Sequence, residues 1–306
     1  VSSVRFVALG DSITVGLGDP MPDGSWRGWA ALLAESLGPP GEVEFHNIAE
    51  SGALTGSLAE RQLPKAIELR PTVAAVVVGV NDTLRGSFDV ARTGHALDRV
   101  VSQLRATGAT VLTVRLPDPG RMLGLPRMVS RPLARRVAAI NAVTDAVSAR
   151  HDTVQFDAAG HPATYDRRMW SVDRLHPSER GHRLLATAFA DLLTARGFPV
   201  HNRPGLEPTN PTPTWWASVA WMATKGTTWL YHRSTDLVPA LAALSLAEGW
   251  YGLRGMARRL DQIAGAEVDR AIAALHHGGD IAYPSPSVHP EVLASLARHN
   301  PMITAS

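Results

Sequence analysis

Hydrophobic and polar positions alternate in blocks along the first two thirds of the chain, and successive blocks switch between strand and helix periods. Residues 5–9 read as a short buried strand, bulky or β-branched and almost free of charge. Residues 26–37 carry apolar side chains at helical spacing (Trp26, Trp29, Leu32, Leu33, Leu37) until Gly38-Pro39-Pro40-Gly41 breaks the pattern. Residues 43–48 predict a second strand and 58–69 a helix ended by Pro71. Residues 73–78 are apolar throughout, as a parallel strand covered on both faces must be. A helix is predicted over 90–107, with Gly108 at its C-cap, then a strand over 110–116. A helix over 132–150 and a short fifth strand over 153–156 follow. The last helix of this part covers 178–196, with Ser178 as N-cap and Gly197 beyond its end. Strands alternating with helices predict an α/β fold: three layers, α/β/α, around a mainly parallel five-stranded sheet.

The pattern changes after residue 198. Residues 199–214 hold Pro199, Pro204, Pro208, Pro211 and Pro213, the composition of an extended linker or surface strap. Beyond them the spacing is helical and tryptophan is frequent: Trp215, Trp216, Trp221, Trp229 and Trp250. Ser234-Thr235-Asp236 predicts a helix start before 237–249, with Pro239 in its first turn; further helices are expected over 256–276 and 290–299. The expected organisation is therefore 1–198, a linker at 199–214, and a helical extension at 215–306. So many tryptophans need a surface to bury against. Packing on the first part is the leading expectation, and a dimer contact or a lid are the alternatives.

Composition narrows the function classes. With 306 residues, 45% hydrophobic and 19% charged, the chain has a globular composition. Its net charge of +2 is too small to argue for nucleic acid. No cysteine is present, which excludes disulfides, thiolate catalysis and cysteine-bound metal. No run approaches the roughly 20 apolar residues of a membrane span, so no transmembrane anchor is expected. The first strand comes without a charged and apolar leader, so the expected location is cytoplasmic; the start at Val1 rather than methionine leaves a removed leader open.

Candidate chemistry begins where the first strand stops. Gly10-Asp11-Ser12-Ile13-Thr14 puts a serine at the carboxyl end of a strand, where open α/β sheets bind ligands. A hydroxyl is a poor nucleophile until a base takes its proton. Asp173-Arg174-Leu175-His176-Pro177 supplies one, with a carboxylate three residues before the imidazole and able to fold back onto it. Gly79-Val80-Asn81-Asp82 ends the third strand and offers the Asn81 amide; Gly52, after the second, offers an unobstructed N–H. With the N–H of Ser12 these make a candidate oxyanion hole. Asp11 and Asp82 read as braces of their turns. His182 reads as a packing or surface histidine. Trp26, Trp29 and Trp170 are candidates for pocket walls, with core packing as the alternative. Arg121, Arg127, Arg131, Arg135 and Arg136 read first as a solvated helix face, with an anionic substrate as the second reading. Neither Gly-x-Ser-x-Gly nor His-Glu-x-x-His occurs, so neither the α/β-hydrolase elbow nor that metal site is expected.

Taken together, these blocks resemble the SGNH (GDSL) hydrolases over roughly residues 4–198. Gly10-Asp11-Ser12-Ile13-Thr14 matches the family's first block, Gly52 the second, Gly79-Val80-Asn81-Asp82 the third, and Asp173 with His176 the last. Ala49 stands where the second block often has glycine. The resemblance implies a flavodoxin-like SGNH fold and metal-independent ester hydrolysis without a cofactor. It implies Ser12 as nucleophile, His176 as base, Asp173 as its orienting acid, and Gly52 and Asn81 as oxyanion donors. The expected substrate is a small-molecule ester. Acyl transfer to an alcohol by the same residues is the alternative, and a non-catalytic partner-binding role a third reading. A homo-oligomer built through the extension is the expected form of any self-association.

Overall fold

The computed structural model describes residues 4–210 and 237–277. Five strands form one all-parallel sheet in the order β2-β1-β3-β4-β5: β1 Val4–Gly10, β2 Val43–Asn47, β3 Val73–Val77, β4 Thr110–Arg115 and β5 Val154–Asp157. The apolar run of β3 is buried at all five residues, because helices cover both faces. Side chains of β1 alternate between two cores. Phe6 and Ala8 meet α2 (Gly28–Ala34) and α9 (Glu179–Ala195), while Val7 and Leu9 meet the opposite layer. That layer contains α4 (Leu63–Glu68), α6 (Val90–Ala106) and α8 (Arg127–His151). The α/β/α architecture read from the pattern is the architecture observed.

Three element boundaries depart from expectation. Residues 58–69 are not one regular helix: α3 (Thr55–Ser57) passes into a π-helical turn, Leu58–Gln62, before α4. The widened turn carries an extra residue and points Gln62 inward. α8 starts at Arg127, five residues before Pro132, and absorbs that proline. α2 begins at Gly28, so Trp26 lies outside it and forms an isolated bridge with Pro20 instead of sharing a helix face with Trp29.

The five arginines of 121–136 are not a uniform solvated face. Arg136 donates to the carbonyls of Thr83 and Arg85 at 2.9 and 2.8 Å, and the Arg121 guanidinium lies 3.7 Å from the centre of the Tyr165 ring. Arg131 and Arg135 reach two later helices, α10 (Leu237–Leu253) and α11 (Ala257–His277). Both pair with Asp261, at 3.2 and 3.0 Å, and both pair with the buried carboxylate of Glu248. Ala271 and Leu275 of α11 join the apolar cluster beneath α6 and α8.

Residues 199–210 lie as a strap along α9. Arg183 donates to the Gly205 carbonyl and Thr187 to that of Pro204, each at 3.0 Å. Of the tryptophan-rich stretch, Trp250 is described; Trp215, Trp216, Trp221 and Trp229, the start at Ser234-Thr235-Asp236 and the helix expected over 290–299 lie outside the described residues. Among the described residues, no helix is long and apolar enough to cross a membrane.

Candidate active site

β1 lies between β2 and β3, where the sheet reverses its direction of growth, and parallel α/β folds open their ligand crevice at that point. There the chain leaves β1 through Gly10 and enters a single helical turn, α1 (Ser12–Val15). A Cβ on Gly10 would stand 2.4 Å from the Val77 carbonyl oxygen, so only glycine lets the turn form this close to β3. Asp11 caps α1, its Oδ1 accepting the N–H of Ile13 at 3.0 Å. Ser12 is the first residue of the helix, so its own N–H has no partner within it.

The other strand ends converge on the same edge. Glu50 follows β2 and donates its N–H to the Gly10 carbonyl at 3.1 Å, which brings the next turn against β1. In that turn Gly52 takes φ 79°, a left-handed conformation that favours glycine. Asn81 follows β3, and its Nδ2 donates to the Ala53 carbonyl at 3.2 Å and to Asp11 Oδ2 at 3.3 Å. The amide therefore spans the Ser12 and Gly52 turns. Asp82 turns the other way, accepting the N–H of Thr55 at 3.1 Å and its hydroxyl at the same distance.

His176 arrives from the far end of the fold. Its Nε2 is 2.8 Å from Ser12 Oγ, and its Nδ1 is 2.6 Å from Asp173 Oδ2. The Asp173-to-His176 segment is a loop rather than a helical turn, held by Asp173 Oδ1. That oxygen accepts the Ser171 hydroxyl at 2.6 Å and the N–H groups of Leu175 and His176 at 2.9 and 3.0 Å. Burial works to raise the Asp173 pKa, but the His176 ring, Ser171 and the backbone donors outweigh it and hold the carboxyl at about 2. Asp11 and Asp82 show the opposite balance. Burial raises each to about 6, against the lowering effect of the N–H donors of Ile13 and Thr55.

The three candidate wall residues separate. Trp29 is fully buried and lies 5.2 Å from the Phe189 ring, so it is a core residue and not a pocket wall. Trp26 is 40% exposed. Trp170 bridges to Pro177 beside His176 and donates its indole N–H to the Thr164 carbonyl at 2.6 Å. His182 is buried: Nδ1 accepts the Trp29 N–H at 3.2 Å and Nε2–H donates to the Leu17 carbonyl at 2.9 Å.

Two features escaped the sequence reading. Gln62, fully buried, bonds the Gly10 N–H through Oε1 and the Gly10 carbonyl through Nε2, both at 2.9 Å. A polar amide between Leu58 and Leu63 on an inward face was the available signal. The second is a buried charge network under the Ser12 loop. Arg27 bonds Asp19 at 2.9 Å and Glu179 at 2.8 Å, and Glu179 also accepts the N–H groups of Thr209 and Asn210 at 2.7 and 2.8 Å. It fastens the strap to α9 and to the loop after α1.

Comparison with known proteins follows the same lines. The model of the GDSL-like lipase/acylhydrolase family matches residues 8–184. An α/β hydrolase from the metagenome of Lake Arreo, Spain, superposes with a TM-score of 0.51 at 23% identity, over 63% of this chain and 96% of that one. An acetyl-xylooligosaccharide esterase from Geobacillus stearothermophilus gives 0.52 at 19% identity, over 63% and 94%. At these identities the two likenesses show the fold. A search of curated proteins found no match. A family model covering more than half of the sequence settles the affiliation: the chain belongs to the GDSL-like lipase/acylhydrolase family and is a serine hydrolase.

Proposed function

We propose that the chain is an esterase that removes a short acyl group from a sugar, metabolite or lipid alcohol, with Ser12, His176 and Asp173 as its catalytic set. One observation carries the reading: the continuous path from the Asp173 carboxylate through the imidazole to the Ser12 hydroxyl, at 2.6 and 2.8 Å. A carboxylate on Nδ1 fixes the tautomer that leaves Nε2 free to accept the hydroxyl proton. Ser12 Oγ attacks the ester carbonyl carbon as His176 takes its proton. The tetrahedral intermediate collapses, the C–O bond to the alcohol breaks, and His176 returns the proton to the leaving oxygen. Water, deprotonated by the same ring, then releases the acid.

Negative charge on the carbonyl oxygen is met by the N–H groups of Ser12 and Gly52 and by the Asn81 amide. Neither N–H makes a hydrogen bond among the described residues, which supports that assignment. The Asn81 bonds to Ala53 and Asp11 are long, and an amide hydrogen can be shared with a stronger acceptor as charge develops. Such donors act in a site where they need no reorganisation.

A fluorophosphonate probe is expected to label Ser12 and to leave Ser12→Ala unlabelled. Labelling elsewhere, or undiminished ester cleavage by Ser12→Ala, would refute the reading. Product analysis with added alcohols separates hydrolysis from acyl transfer: free acid under all conditions is the expected result, and a new ester would assign transfer instead.

A further inference from the structure

Between α3 with its π-helical continuation and α6 runs a cavity of about 540 Å³. Its upper rim belongs to the turns already described. Leu54 lies two residues beyond Gly52, and Asp82 directly follows Asn81. The rim is pinned from both sides. Asp82 ties it to Thr55, and Arg136 holds the 83–85 backbone from behind through two carbonyls. The loop that ends in Phe88, which also lines the cavity, is thereby shaped before any ligand arrives.

The far wall is α6, which contributes Arg92 and Arg99, seven residues and about 10 Å apart along one helix face. Neither guanidinium forms an ion pair or hydrogen bond through its side chain among the described residues. Arg85 adds a third cation to the lining. Three carboxylates share the cavity, but two are committed. Asp89 caps α6 through the N–H groups of Ala91 and Arg92, and Asp82 is buried against Thr55. Glu60 is left to face the arginines. The remaining wall mixes apolar Leu54, Ala59, Ala96 and Phe88 with the polar side chains of Ser57, Ser87, Thr93 and His95. A groove of this kind, with uncharged, partly apolar sides and planar donors spaced along one wall, suits a ligand with an uncharged body and an anionic end.

We propose that this groove binds the anionic end of a carboxylate- or phosphate-bearing ester whose carbonyl lies at Ser12. The inference rests on the proposed esterase reading and adds the charge class of the substrate to it. The guanidinium groups are solvent-accessible, so their contribution goes into binding and is screened by salt.

The test compares acetyl esters of matched leaving groups: 4-hydroxybenzamide as the neutral probe, 4-hydroxybenzoate and 4-hydroxyphenyl phosphate as the anionic ones. Wild-type protein is expected to show a KM about tenfold lower for at least one anionic ester at low salt, with the advantage shrinking as salt is added. A lower KM for the benzoate alone assigns a carboxylate, and for the phosphate alone a phosphoryl group. Arg92→Gln combined with Arg99→Gln is expected to erase that advantage through KM, leaving kcat and the neutral ester unchanged. Equal KM values for all three esters in wild type, or equal losses on all three in the double variant, would overturn the proposal. Ser12→Ala is run beside them. If it still cleaves the neutral ester, the esterase assignment fails, whereas a charge-blind wild type with an inactive Ser12→Ala defeats the groove alone.

Discussion

The side-chain amide of Gln62 closes two hydrogen bonds on the backbone of Gly10, accepting its N–H and donating to its carbonyl, both at 2.9 Å. A primary amide presents the same donor and acceptor pair as a peptide group, so Gln62 supplies a ladder partner at the point where β2 has already ended. The same Gly10 carbonyl accepts the Glu50 N–H. The peptide preceding Asp11 and Ser12 is thus held by the segment leading into the Gly52 turn and by the π-helical turn together.

Replacing Gln62 with leucine leaves a buried N–H unpaired, which costs about 1–3 kcal/mol. Gln62→Leu is expected to lower both Tm and kcat at every pH. Gln62→Glu separates positioning from stability, because a buried carboxyl has a raised pKa and donates to the Gly10 carbonyl only while protonated. Its kcat is expected to approach wild type at low pH relative to Gln62→Leu and to fall as the carboxyl ionises. Identical pH profiles for the two variants would contradict a positioning role.

Asp173 is held at about 2, so it stays ionised throughout the range in which an ester hydrolase is assayed. Asp173→Asn keeps the size of the side chain but favours the wrong imidazole tautomer. A loss of about 10⁴ in kcat is expected, by analogy with other serine triads, with Tm little changed. Steady-state kinetics beside a thermal melt check it.

Asn81→Ala removes one donor from the assigned oxyanion hole and is expected to lower kcat about 100- to 1000-fold with KM nearly constant. A shift confined to KM would mean that the amide holds the substrate rather than the developing charge.

Stability against pH should follow two opposed sets of groups. Burial pushes His182 down to about 4, against the upward pull of the Leu17 carbonyl, so its neutral form is favoured in the folded state. Its contribution is complete above 6.5 and is lost as pH falls through 4. Burial works to raise Glu179, but donors from Thr209, Asn210 and Arg183 hold it at about 2, so its contribution is complete above 4.5 and lost as pH falls toward 2. Asp82 acts in the other sense. Raised to about 6, it favours folding at low pH and loses that contribution as pH rises from 3.8 through 6. Urea unfolding from pH 2.5 to 8 is expected to show a less steep acid limb for Glu179→Gln. For Asp82→Asn, the loss between pH 4 and 6 should shrink, the remainder belonging to Asp11, which burial also raises to about 6.

Glu248 is 5% exposed and lies between Arg131 and Arg135 in an otherwise apolar helix. Removing Glu248 leaves both arginines, which are partly exposed, with Asp261 as their remaining carboxylate, so the cost falls below the ~3–5 kcal/mol of breaking a fully buried pair. Glu248→Ala is expected to speed amide exchange across α10 and α11 before any change in β1 or β3. Simultaneous loosening of the whole sheet would mean that the two helices are integral to its stability.

Much of this molecule is local in the sequence. The apolar run of β3, the glycine that ends β1, and the three-residue spacing from Asp173 to His176 are patterns of a few residues. They specify strand, turn and loop through backbone sterics and side-chain period, whatever lies elsewhere. The α/β alternation then leaves few sheet orders to choose from. Other features depend on which distant segments cross, and no short window contains that information. Trp29 has the same spacing whether it lines a pocket or fills a core, and contact with Phe189 decides it. Arg131 and Arg135 look solvated until Glu248 and Asp261 arrive from more than a hundred residues away. Gln62 becomes a strand partner because one extra residue in its helical turn aims it at Gly10. Period and turn chemistry are written residue by residue, whereas the partner of a buried polar group is chosen only when packing has brought the segments together and removed the water between them.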